Sequence, residues 1–437
     1  MLERFKSHIE HQFPMLSNAK LLVACSGGLD SVVLTHLLKE LNFPMALAHC
    51  NFSLRGTESN GDATFVKELA DQLAIPFHLK QFDTNENAIK HRLSTQMAAR
   101  KLRYDWFDVL LKDLKFDYLL TAHHADDDLE TFLINLSRGT GLRGLTGIQE
   151  INGTVVRPLL PFSRDEILDY AKLKDLYWRE DSSNSTSDYL RNDLRLNVIP
   201  PYKDAVKHVL PSFIKTQQRL SDSQTLVADY MVLVQKLVMT ATEEGLEIHI
   251  SKIKELPHTS ALLYELLHPF GFSAWNDISE LLNGQSGKQV FSPTHRIIKN
   301  RDVLIITARL DNVEERPLYI SKETKEIQLP VQLRFELVKR FEITNANTVF
   351  VDTELLSYPL LLRRWKEGDV FQPFGMEGNK KLSKFFKDEK LSLVAKENVW
   401  VLCSNNVIVW VVGMRLDNQF KVSKNTQNIV RIDYTPS

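Results

Sequence analysis

Cysteine is scarce: Cys25, Cys50 and Cys403 are the only three in 437 residues, and no two share a CxxC spacing. A disulfide framework, a four-cysteine zinc site and a cysteine-bound iron–sulfur cluster are all disfavoured. Such usage fits a reducing, cytoplasmic setting. No apolar run is long enough to span a bilayer; the longest, such as Val407 to Met414, are strand-sized. The opening MLERFKSHIEHQF is too charged for a signal peptide. Charge of one sign is also missing, since 54 Lys+Arg stand against 55 Asp+Glu for a net charge of -1. A protein that grips a polyanion over its whole surface is thereby excluded, and any such contact must come from local patches. What is present is ordinary: 43% hydrophobic and 25% charged residues, the values of a globular chain long enough for two to four domains.

The first 200 residues alternate strand and helix patterns. Leu21 to Cys25, Met45 to His49, Ile75 to Phe82, Asp117 to Ala122 and Val155-Val156 read as strands. Leu29 to Leu41, Asp62 to Leu73, Ile89 to Leu111 and Asp126 to Ser137 read as helices. This alternation predicts an α/β domain with a doubly wound parallel sheet, whose ligands bind at the carboxyl ends of the strands. The loops after Cys25, His49 and Ala122 are therefore the places to search. Pro200-Pro201 breaks the pattern. A mostly helical middle domain over 201–310 is expected, with a small sheet at 287–309. The acidic Asp311 to Glu315 reads as a linker, and 311–437 as a small α+β domain.

Ser26-Gly27-Gly28-Leu29-Asp30-Ser31 joins the first strand to the first following helix. Two glycines permit positive φ and close backbone approach. Successive N–H groups can cradle phosphate oxygens, and the helix start adds its dipole. Asp30 is placed to help hold Mg²⁺. The loop is not a Walker A motif, because GxxxxGK[ST] is absent. SGGLDS after a first strand resembles the PP-loop of the N-type ATP pyrophosphatases. The resemblance implies ATP binding by Ser26, Gly27, Gly28, Leu29, Asp30 and Ser31, with cleavage to AMP and pyrophosphate.

Further motifs narrow the resemblance. They are His49-Cys50-Asn51-Phe52-Ser53-Leu54-Arg55, Ala98-Ala99-Arg100 with Arg103 and Tyr104, and Thr121 to Thr131 (TAHHADDDLET). Arg138 to Leu145, Arg157-Pro158-Leu159, Glu180 to Asn184, Leu362 to Asp369 and Lys380 to Phe386 complete the set. Together they resemble the tRNA(Ile)-lysidine synthetases, more strongly at both ends than in the middle. Asp128 departs from the pattern, since that family more often carries Gln there. The resemblance implies a ligase that uses ATP and Mg²⁺ to adenylate carbon 2 of the wobble cytidine in the CAU anticodon of an isoleucine tRNA. Free lysine then displaces AMP, and the codon read changes from AUG to AUA. A PP-loop tRNA thiolase and a non-catalytic tRNA-binding module are the competing readings. The sequence leaves homodimer formation open.

This chemistry assigns candidates. His49 and Asn51 end the second strand, where adenosine is expected. Asp126, Asp127 and Glu130 stand three and four apart on a helix and can converge on one cation, with Asp30 and Asp126 as metal ligands and the others on lysine. Arg100, with Arg103, is the candidate cation for charge developing on the base. The loop 138–147, with four of the 17 glycines, fits either a lid or a plain connection. For RNA, residues 361–390 hold eight Lys/Arg against five Asp/Glu. Arg363, Arg364, Lys366, Lys381, Lys384 and Lys387 are the candidate phosphate contacts, beside an apolar stripe of Leu382, Phe385 and Phe386. Trp365 is expected in the core.

Overall fold

A computed structural model describes residues 1–437 except Arg55, 181–189, 310–316, 343–344 and Ser437. Arg55, most of the Glu180 to Asn184 motif and the acidic 311–315 segment thus lie outside the described residues. The chain forms two compact units, Met1–Ala228 and Asp229–Ser437.

In the first unit, among the described residues, six strands make one sheet in the order β3-β2-β1-β4-β6-β5. They are β1 (Leu21–Ala24), β2 (Met45–Asn51), β3 (Phe77–Gln81), β4 (Tyr118–Leu120), β5 (Ile151–Asn152) and β6 (Val155–Val156). All pairings are parallel except β5 with β6. Leu21, Leu22 and Val23 are wholly buried, as a central parallel strand covered on both faces requires. Chain order reverses beside β1, with β2 on one side and β4 on the other. The loops after β1 and β4 therefore diverge and open a crevice.

The helices are α1 (Leu2–Gln12), α2 (Leu29–Glu40), α3 (Thr57–Gln72), α4 (Thr84–His91), α5 (Thr95–Asp113), α6 (Ala125–Ser137), α7 (Leu142–Leu145) and α8 (Arg164–Leu173). Then come α9 (Leu190–Asp193), a π-helical turn over Leu194–Val198, α10 (Ile199–Ala205) and α11 (Val209–Val238). The single helix expected over Ile89 to Leu111 is two. Arg92 takes a left-handed conformation (φ 54°) that ends α4, and the Ser94 hydroxyl caps α5 by accepting from the Met97 N–H. Apolar periodicity carried across the break and hid both signals. Likewise α3 starts five residues before the expected Asp62.

The second unit begins inside α11. Its helices Ile250–Glu255, Thr259–Leu267 and Trp275–Leu281 bear out the helical middle. One addition is a hairpin, Met239–Thr242 with Gly245–His249. It extends the expected sheet of Gln289–Phe291, His295–Asn300 and Val303–Ala308 to five strands. Gly245 (φ 135°) passes so close that a Cβ there would lie 2.2 Å from the Ile306 carbonyl oxygen. Beyond it, a five-stranded and a four-stranded sheet share a core around Trp410, Leu402, Val349 and Ile432. Leu382, Phe385 and Phe386 are buried, and Trp365 packs on them with its Nε1–H donating to the Lys396 carbonyl.

Candidate active site

The crevice beside β1 holds a cavity of about 820 Å³, within the range of pockets that enclose a small-molecule substrate. Ser26, Gly28, Leu29, Asp30 and Ser31 from the first loop, and His49 and Asn51 from the end of β2, all line it. Gly27 takes φ 89°, and a Cβ there would meet Val66 and Phe65 at 3.2 and 3.3 Å. The Ser31 hydroxyl is turned inward: it accepts from the Ser26 N–H and donates to the Gly28 carbonyl, 3.0 Å away. It shapes the loop, while the first-turn N–H groups of α2 have no intrahelical acceptor and remain for a ligand. His49 is fixed by its Nδ1 at 2.8 Å from the Cys25 carbonyl, and burial holds it below the usual histidine range. Asn51 spans Asn60 and the Ser53 N–H.

Asp30 Oδ1 is buried and makes no hydrogen bond among the described residues. Burial raises its carboxyl above the usual range, against the pull of His124, whose Nε2 lies 3.7 Å away. An orphaned carboxylate oxygen facing a phosphate-sized cavity fits a divalent cation. The described residues hold no cluster of three potential metal-binding side chains.

His124 caps α6 reciprocally: its ring accepts from the Asp127 N–H, and its own N–H donates to Asp127 Oδ2. Asp127 and Glu130 do converge on one cation, and that cation is Arg195. Its guanidinium reaches Glu130 Oε1 at 2.6 Å and Asp127 Oδ1 at 2.7 Å. Arg191 adds a contact to Glu130 Oε2 at 3.0 Å and one to Thr131. Glu130 is 1% exposed and does not line the cavity, whereas Asp127 and Arg195 do. Despite its burial, Asp127 is held below the usual carboxylate range by His124 and Arg195.

Asp126 is turned away from the cavity. Its oxygens accept from the Lys203 ammonium (2.9 Å) and the Arg164 N–H (2.8 Å), tying α6 to α10 and α8. The expected metal role does not match that position. Arg100 is exposed over the Tyr104 ring and does not line the cavity; Arg103, stacked over Phe52, does. Arg195, Arg191 and the capping role of His124 went unread in the sequence. The i,i+4 pair in Leu190-Arg191-Asn192-Asp193-Leu194-Arg195 was a usable signal. The π-helical turn at Arg195 is local backbone detail that no periodicity shows.

The glycine-rich loop is fastened to α6 at two points. Asn135 Nδ2 donates to the Gly144 carbonyl (2.8 Å), and the Ile148 N–H donates to Asp128 Oδ1 (2.5 Å). A Cβ on Gly147 would sit 2.1 Å from that oxygen and 2.8 Å from Gln217 Nε2. Asp128 thus has a place in the architecture that its departure from the family pattern left open. The cysteines supply no thiolate: all three are free, and burial pushes Cys50 to about 12 and Cys403 to about 11.

In the second unit Arg363 is not available to RNA. It forms a two-point ion pair with Asp369 (2.8 and 2.9 Å), with both side chains largely covered. Arg364 lies over the Trp400 ring. Lys366, Lys381, Lys384 and Lys387 are exposed. The helix there runs over Leu382–Asp388, with Lys381 at its cap.

A glycine-rich loop after the first parallel strand, beside the switch point and facing a nucleotide-sized cavity, defines a PP-loop protein. Residues 1–202 match the family model of the PP-loop domain. Residues 241–309 match that of the TilS substrate binding domain, and 360–434 that of the TilS substrate C-terminal domain. The chain is 38% identical to the tRNA(Ile)-lysidine synthase of Parabacteroides distasonis over 99% of its own length and 100% of that protein's. It is 38% identical to the synthase of Bacteroides thetaiotaomicron over 98% of each chain, and 30% to that of Clostridium tetani over 97% and 96%. The chain belongs to the tRNA(Ile)-lysidine synthase family.

Asp128 yields a pH test. Burial lifts its carboxyl to about 7. The folded state therefore keeps a proton that the unfolded chain has already released, and stability falls as pH rises from the ordinary carboxylate range to about 7. Asp128→Asn should flatten that slope in urea unfolding measured across the interval, with little change at its acid end.

Proposed function

We propose that this chain ligates free lysine to carbon 2 of the wobble cytidine in the CAU anticodon of an isoleucine tRNA, forming lysidine and changing the codon read from AUG to AUA. The carrying observation is the PP-loop facing an orphaned Asp30 in a chain that matches lysidine synthases from end to end. ATP binds with its phosphates on the N–H groups of 26–31 and its adenosine toward His49 and Asn51. Asp30, with Asp127 nearby, would hold Mg²⁺, and the ion would supply positive charge to offset that of the pyrophosphate. Arg195 supplies the fixed cation facing the reacting phosphate, the task expected of Arg100, and Arg103 lines the opposite wall.

The cytidine oxygen on carbon 2 attacks the α-phosphate and pyrophosphate leaves. The lysine ε-amine, deprotonated, then attacks carbon 2 and AMP leaves. Asp127 is the acid of the cluster that reaches the cavity, so it orients the incoming ammonium; held ionised below the usual carboxylate range it is a poor base, and the ammonium's proton passes to water. Glu130 acts behind it by fixing Arg195 and Arg191. A thiolase reading needs an activated thiol, and the high thiol pKa values oppose it. Three free thiols suit work in the cytoplasm. No helix among the described residues is long and apolar enough to cross a membrane. Lys366, Lys381, Lys384 and Lys387 carry phosphate contacts from the second unit.

The direct test is nucleoside analysis of isoleucine tRNA incubated with the protein, ATP and labelled lysine. Lysidine should appear, and pyrophosphate release should require the tRNA. Absence of lysidine with folded protein and intact tRNA would refute the assignment.

Asp30→Asn separates function from stability. The variant loses the charge that burial penalises, so its melting temperature should hold or rise. Pyrophosphate release should fall by roughly 10²–10³-fold, the scale of losing one electrostatic stabiliser.

The lysine patch is read by salt. Replacing Lys381, Lys384 and Lys387 with Ala should weaken tRNA binding. The log–log salt slope should drop by about 0.7–0.9 for each phosphate that is no longer neutralised. The KM for ATP should not change.

A further inference from the structure

The distal domain contains a second cleft, of about 380 Å³. Phe350 and Leu416, 4% and 1% exposed, form its floor. Phe341 and Phe374 line it while remaining 57% and 38% exposed, and Lys421 and Glu342 complete it. Three separate segments supply the rim groups Phe341, Glu342, Phe374 and Lys421: the chain after the strand Gln332–Val338, the loop between the paired strands Val370–Phe371 and Lys380–Lys381, and the stretch after Asn418–Phe420. Convergence of two exposed rings from distant segments on one opening is not explained by core packing. The domain's core is complete without them around Trp410 and Ile432.

Three cations, Lys339, Arg340 and Lys421, adjoin the one lining carboxylate, Glu342. Lys339 and Arg340 directly precede Phe341 and are exposed. The Lys421 ammonium has no hydrogen-bond or ion-pair partner among the described residues. The loop bearing Phe374 runs straight into Lys381 and the helix of Lys384 and Lys387. Aromatic faces interleaved with cations suit a single-stranded polyanion with flat bases, because any base can stack while the cations hold its phosphates. The cleft is too small for a protein helix and large enough for one base with its ribose. RNA recognition uses bases that are unpaired and splayed out.

We propose that this cleft binds one unpaired nucleobase of the tRNA against the Phe341 and Phe374 rings, with Lys421 on an adjoining phosphate. The proposal rests on the functional reading above, which makes tRNA the substrate, and it adds a binding point distinct from the lysine patch.

The test uses the full chain with Phe341→Leu and Phe374→Leu combined. Leucine keeps the apolar surface and leaves the buried floor untouched, so folding should hold. The Kd for isoleucine tRNA should rise roughly 5- to 100-fold, as expected when one base–aromatic stack is removed, with an unchanged salt slope. Lys421→Ala should instead lower the slope by about 0.7–0.9. A Kd within twofold of wild type in the folded double variant would overturn the proposal. Independently, Phe341→p-benzoylphenylalanine should photo-crosslink to tRNA at an unpaired nucleotide. Crosslinks only to a base-paired stem, or to a second copy of the chain, would overturn it. Lysidine formation by wild-type protein is measured alongside. If lysidine forms while the double variant binds normally, the cleft proposal alone fails. If no lysidine forms, the functional reading fails and takes the occupant of the cleft with it.

Discussion

Burying Glu130 is the constraint on which the site depends. A carboxylate 1% exposed must be paired, because an isolated buried charge costs far more than folding can offset. Arg191 and Arg195 meet that need and draw the segment 190–198 onto α6. Arg195 is thereby carried into the cavity, where its guanidinium also takes one Asp127 oxygen and holds that acid ionised. The capping box of His124 fixes the other Asp127 oxygen. One buried acid therefore sets the position of a cation and, through it, of an acid on the cavity wall.

Asp30 is the opposite case. Its Oδ1 is buried without a hydrogen bond, with only the His124 ring 3.7 Å away, and burial opposes its ionisation. A fold built only for stability would have filled that position with a neutral side chain. Perturbation of this kind marks groups that sites keep for a ligand. Around it the loop is braced: Ser31 holds it from within, and a Cβ on Gly27, at φ 89°, would crowd Val66 and Phe65. The cradle is thus preformed, and binding need not order it.

The acidic helix start illustrates how one sequence pattern serves several ends. DDDLE reads as four interchangeable acids, yet the fold gives each a different neighbour. Asp126 locks α6 to α8 and α10, Asp127 faces the cavity, Asp128 anchors the glycine-rich loop, and Glu130 recruits the arginines. The distal Arg363 is similar. It belongs to a basic stretch by count and to an internal ion pair by position, while Lys366, Lys381, Lys384 and Lys387 stay exposed.

The parallel sheet, the phosphate loop after its first strand, and His49 and Asn51 at the end of its second strand were legible in the chain alone. Each is local: apolar runs, glycine freedom and chain order fix them within a few residues, and the switch point follows from the strand order they permit. The stripe of Leu382, Phe385 and Phe386 was legible for the same reason. Which charges pair with one another became visible only in the folded chain. Arg195 lies 65 residues from Glu130, and Lys203 lies 77 from Asp126. Such pairings depend on how helices pack across the sheet, and opposite charges far apart in a chain carry no mark of which partner they will meet. The break at Arg92 and the π turn at Arg195 escaped for a related reason: they are set by single backbone angles, to which hydrophobic periodicity is blind.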